Sequence, residues 1–151
     1  MTWLIHQNVD FIFYPCVPYE RNEFPDSNNH YNCPIVTSYA ENIKNNVEDI
    51  TSGKVRFYNP FMAFTSEETL SSQLVKTFTA PEFAIPESEI RDAVSEGYKE
   101  LAVVRMEMQK KGEEVLKYME ETGKRGIVLA GRPYHIDPEI NHGIPELITS
   151  Y

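Results

Sequence analysis

Asp10-Phe11-Ile12-Phe13-Tyr14-Pro15-Cys16-Val17-Pro18-Tyr19 decides how the chain is read. From Phe11 to Val17 the run is apolar or aromatic throughout rather than at alternate positions, the pattern of a strand covered on both faces. Strands of that kind lie inside parallel sheets flanked by helices, so a central strand is expected here. The run carries one thiol, Cys16. The other, Cys33, stands against a proline in Tyr31-Asn32-Cys33-Pro34-Ile35-Val36.

Working outward, Glu20 to His30 is rich in turn formers and poor in apolar residues, which predicts an exposed loop. From Pro34 or Ile35 the spacing Val36, Tyr39, Ala40, Ile43, Val47 follows a helical period and closes near Asn45 or Asn46, placing Cys33 just ahead of a helix N-terminus. A second strand is expected at Val55-Arg56-Phe57-Tyr58, after the Thr51-Ser52-Gly53 turn. Ser66-Glu67-Glu68-Thr69 has the form of an N-cap with acidic residues in the first turn, and its helix should end before Pro81. A long helical segment occupies about 86–123 and stops at Gly123. Uninterrupted from Glu87 to Thr122 it would run about 54 Å at ~1.5 Å per residue, so a break at Gly97 or Gly112 is expected. Gly126-Ile127-Val128-Leu129-Ala130-Gly131 reads as a buried strand, and Ile144-Pro145 opens another helix. The order β-α-β-α-α-β-α predicts an α/β fold, a mostly parallel sheet with helices on both faces in a Rossmann-like arrangement.

The 151 residues fit a single α/β domain, 1–151, with one core. A hydrophobic content of 41 % beside 25 % charged residues is that of a soluble protein, and no apolar stretch approaches the ~20 residues of a membrane span. The first ten residues lack the basic start and long apolar core of a secretory signal, which makes the cytoplasm the expected compartment. A disulfide between Cys16 and Cys33 is not expected there. A net charge of -9 with no basic run excludes nucleic acid as a natural partner. Trp3-Leu4-Ile5 reads as the last turn of a helix and Ile144 to Tyr151 as the opening of one, so the chain is expected to be a fragment of a larger multidomain protein.

In parallel sheets ligands gather at the C-terminal ends of strands. Pro15-Cys16 and Gly131-Arg132-Pro133-Tyr134-His135 are both expected at that edge. Cys16 and Cys33 are separated by sixteen residues, which matches no compact metal motif; they are buried hydrophobes, metal ligands or redox groups. Arg132 with a helix N-terminus can receive an anion, with His135 as proton donor or ligand. The competing reading has Asp137 and Asn141 organising turns while His135 and His142 satisfy buried polar groups. Zinc ligation by His135, Asp137 and His142 has suitable ligand types but no common zinc spacing. A Cys16 and His135 nucleophilic pair has no evident oxyanion hole. Neither a P-loop nor a GxGxxG pattern occurs, so no motif binds ATP.

Asp10 to Cys16, Asn32-Cys33-Pro34-Ile35-Val36, and Gly131-Arg132-Pro133-Tyr134-His135 with Asn141-His142-Gly143-Ile144 together resemble the activators of 2-hydroxyacyl-CoA dehydratases, the CoA-substrate-specific enzyme activases. The chain is similar to the region that follows the ATPase domains in the long activators, and to the iron-sulfur dehydratase subunits. The resemblance implies that Cys16 and Cys33 are ligands of a four-iron four-sulfur (4Fe-4S) cluster in the full-length protein, with a further cysteine beyond Tyr151. It implies Arg132 and His135 as cofactor-binding residues that tune the cluster or meet an anionic group such as the CoA phosphates. It names as partners the 2-hydroxyacyl-CoA dehydratase and the ATPase domains of the same activator, and as function a share in iron-sulfur binding and electron transfer to the dehydratase. No residue is expected to be catalytic and the chain is not expected to be a complete enzyme. The alternatives are a cluster-free docking module, or a dehydratase-like domain that binds acyl-CoA near His135.

Overall fold

The structure is a computed structural model describing residues 1–131 and 133–151. The chain forms two compact units, Met1–Val104 and Arg105–Tyr151.

In the first unit α1 (Thr2–His6) leads into β1 (Phe11–Phe13) and β2 (Cys16–Tyr19). Then come α2 (Pro34–Asn46), α3 (Glu48–Thr51), β3 (Arg56–Tyr58), β4 (Phe61–Ala63) and α4 (Glu67–Phe78). The strands pair in parallel, β1 with β3 and β2 with β4, Ile12 facing Phe57 and Cys16 facing Phe61. The expected single strand from Phe11 to Val17 is therefore two short strands, and the cause lies in two prolines. Pro15 and Pro60 have no N–H to give to the ladder, so the pairing lapses at Tyr14-Pro15 on one side and at Asn59-Pro60 on the other. It does not end there: Tyr14 N donates to Tyr58 O at 2.8 Å, Cys16 N to Pro60 O at 2.9 Å and Phe64 N to Tyr19 O at 2.9 Å. The result is one parallel ribbon with a proline hitch in each strand.

Helices flank this ribbon as the apolar pattern requires. Ile5, Ile12 and Ile50 form a buried cluster joined by Ile43, Val47 and Phe57. Phe11, Phe13, Tyr58, Phe78 and Phe83 meet edge to face, with ring centroids 4.9 to 5.8 Å apart, in the range where aromatic pairs attract. α2 starts on Pro34 with Cys33 as N-cap. α4 is capped by Ser66, whose Oγ accepts from Thr69 N at 3.1 Å, and Glu67 and Glu68 complement the positive end of its dipole. The loop from Glu20 to His30 is extended and turn-rich, as expected.

α5 (Glu87–Thr122) is unbroken, against the expectation of an interruption at Gly97 or Gly112. Each glycine costs only about 1 kcal/mol in a helix interior, and neither is crowded by a neighbour. Pairs such as Arg91 with Glu87 at 2.8 Å offset part of that. The helix stops at Gly123, whose φ of +66° suits the left-handed C-terminal position.

In the second unit, the chain after α5 is extended through Gly131 and then forms a 3-10 turn (Pro133–Ile136), α6 (Pro138–Asn141) and α7 (Ile144–Thr149). The strand expected at Gly126 to Gly131 is absent. A strand exists only where a neighbour takes its backbone hydrogen bonds, and none among the described residues does so. Among those residues every buried apolar side chain belongs to the first unit. No described helix is long and apolar enough to cross a membrane.

Candidate functional site

Cys16 does not stand at the C-terminal end of a strand; it opens β2 within the ribbon and is 1 % exposed. Its side chain faces α2. The sulfur interacts with Glu41 through a backbone hydrogen bond and with the Asn59 side chain, and Asn59 Nδ2 donates to Glu41 Oε1 at 2.6 Å. Burial pushes the Cys16 thiol above its ordinary pKa and the Glu41 charge adds to this, while the hydrogen bonds and Lys44 pull the other way. The thiol is the resting form near neutral pH. Ala40 of α2 and Met62 of β4 are buried as well.

Cys33 is half-buried at the N-cap of α2, with backbone φ -54° and ψ 131°. Its carbonyl accepts from Thr37 N at 3.0 Å. The turn before it is tied to β2, because Asn32 Nδ2 donates to Val17 O at 2.9 Å and to Glu20 Oε1 at 3.0 Å. Thr37 Oγ1 adds a bond to Val17 O at 3.3 Å. The sequence thus brings both cysteines to the β2 and α2 pair. They meet α2 at different heights: Cys16 at Glu41, Cys33 at the N-cap, about 12 Å apart at ~1.5 Å rise per residue. Both are thiols outside any disulfide.

The iron-sulfur cluster implied by the resemblance takes four thiolates as a rule. No group of three or more His, Cys, Asp or Glu side chains suited to a metal occurs among the described residues. Two thiols, one sealed in the core and protonated, do not by themselves fit a cluster.

The loop expected to share that edge falls in the second unit. Arg132 lies outside the described residues. His135 sits in the 3-10 turn, its ring packed on Gly131, where a Cβ would come within 2.6 Å of Nδ1. The turn-forming reading holds for its neighbours. Asp137 caps α6, accepting from Glu139 N at 2.9 Å. Asn141, buried, accepts from Gly143 N at 2.9 Å. His142 is exposed and in the left-handed conformation at φ 53°.

At the C-terminal edge of the ribbon is a groove of about 570 Å³ that the sequence did not reveal. Arg21, Thr65, Ser66, Glu67, Tyr98 and Lys99 line it. Tyr98 Oη is fixed by donating to Phe64 O at 3.1 Å. The available signal was the Ser66 cap directly after a strand, the position where βα turns meet ligands.

A family model of the CoA enzyme activase uncharacterised domain matches residues 1–151. The chain belongs to this family. No curated protein and no solved structure matches it.

Proposed function

From its membership of the CoA enzyme activase family we propose that the chain is a docking domain of a 2-hydroxyacyl-CoA dehydratase activator, holding the dehydratase against the ATPase domains of its own protein. The observation that carries this is the bare apolar surface of the second unit, where Met106, Met108, Leu116, Ile127, Val128 and Ile136 are all exposed. Apolar area on this scale marks interaction surfaces. Sedimentation of the chain with purified dehydratase tests it: co-migration at micromolar concentration supports docking, and independent migration at every ratio refutes it.

A second reading is favoured by Cys33 at the head of α2, where a helix N-terminus meets a half-exposed thiol. In it Cys16 and Cys33 supply two of the ligands of a 4Fe-4S cluster through which the activator passes electrons to the dehydratase. The remaining ligands come from outside the described residues, and Arg132 and His135 meet an anionic group such as the CoA phosphates. Anaerobic reconstitution with iron and sulfide, alone and in complex with its partners, tests this. Absence of thiolate-iron absorbance in every sample, or its full retention in Cys16→Ala and Cys33→Ala, rejects it.

A further inference from the structure

Gly126 to Gly131 is apolar at Ile127, Val128, Leu129 and Ala130, without alternation. In an extended chain successive side chains point to opposite faces. Ile127, Val128 and Leu129 are 72, 92 and 56 % exposed, so both faces of the segment are largely open to solvent. Its backbone pairs with no strand among the described residues. One helix layer is already present: Met108, Val115 and Met119 of α5 form with Gly126, Ile127 and Val128 a groove of about 620 Å³. The absent parts are neighbouring strands and cover for the other face.

These features select the occupant. A strand for a one-faced antiparallel sheet alternates, whereas a run apolar at every position suits a parallel sheet covered on both sides. Parallel neighbours begin side by side, and Lys124 and Arg125 stand immediately before the segment. Charge complementarity therefore asks for a carboxylate at the start of the partner strand. We propose that Gly126 to Gly131 is a strand in waiting, which docks by adding to the edge of a parallel sheet in a partner α/β domain whose edge strand is continuously apolar and opens on Asp or Glu. This deepens the docking reading and rests on it for the partner's identity, but not for the chemistry of the surface.

The test uses the whole chain and a short fluorescent peptide that begins with Asp, continues in Val and Ile, and ends in a polar tag. The same peptide with Val and Lys alternating is the control. Expected are binding of the first peptide at least about tenfold tighter than the control, and amide exchange at Ile127, Val128 and Leu129 slowed at least about tenfold in the complex. Val128→Pro removes one ladder donor at an exposed position, so folding is spared while binding weakens by more than about tenfold. Unprotected amides in the complex, or equal binding by Val128→Pro, overturn the proposal. Dehydratase binding that leaves these amides unprotected overturns it too, with the docking reading intact. Peptide binding without dehydratase binding upholds it and removes the docking reading instead.

Discussion

Timed alkylation separates the two cysteines. Cys16 is 1 % exposed with its thiol pKa raised by burial, while Cys33 is half-buried at a helix cap. Only a thiolate open to solvent reacts. Cys33 is half-buried at the start of α2, so local adjustment is enough to bring its sulfur to solvent. Cys16 reaches solvent only when β2 separates from α2, an opening that breaks its contacts with Glu41 and Asn59 and so approaches global unfolding. With about 5 kcal/mol of stability, the low end for a native domain, the open fraction is about one in 5,000. Iodoacetamide near neutral pH should therefore modify Cys33 about a thousandfold or more faster than Cys16, read as peptide masses over time. In concentrated guanidinium the two rates should converge to within a few-fold, since both thiols then have similar surroundings. Labelling of Cys16 within about tenfold of Cys33 in the native chain would refute the sealed site. It would also remove the objection that burial raises against Cys16 as a metal ligand.

The raised pKa of Cys16 carries a pH signature. The folded chain keeps this proton above the unfolded value near pH 9, so the stability it contributes is complete below pH 9 and falls as pH rises beyond it, by up to about 1.4 kcal/mol per pH unit; denaturant titrations should lose this slope in Cys16→Ala. Ser66→Ala removes the Oγ bond to Thr69 N and should cost about 1 kcal/mol, read as a lower urea midpoint. Gly97→Ala and Gly112→Ala add a methyl group where nothing lies within 4 Å, and each should raise stability by about 0.5 to 1 kcal/mol in thermal unfolding. Met62→Ala, in contrast, empties a 2 % exposed position and should cost about 2 to 5 kcal/mol.

What was legible in the sequence depended on whether the deciding interaction was local. α2 from Pro34, the Ser66 cap, and the two ends of the run from Glu87 to the stop at Gly123 follow from spacing and capping within a few residues, and all stand where they were expected, although the run is unbroken at Gly97 and Gly112. Cys33 as a helix N-cap followed for the same reason. The strands are different, because their hydrogen bonds belong to a neighbour distant in sequence. Phe11 to Val17 has the composition of one strand, but its continuity was decided by Pro15 together with Pro60, forty-five positions on, and no pattern within the run contains Pro60. The same logic placed Cys16 wrongly: ending the strand at Val17 put the thiol at an open ligand edge, whereas pairing onward to Tyr19 and Phe64 encloses it beneath α2. Gly126 to Gly131 completes the argument. Its composition is as strand-like as that of Phe11 to Val17, yet among the described residues one run is paired and the other is not. Composition states what a segment can become; a partner edge decides whether it does.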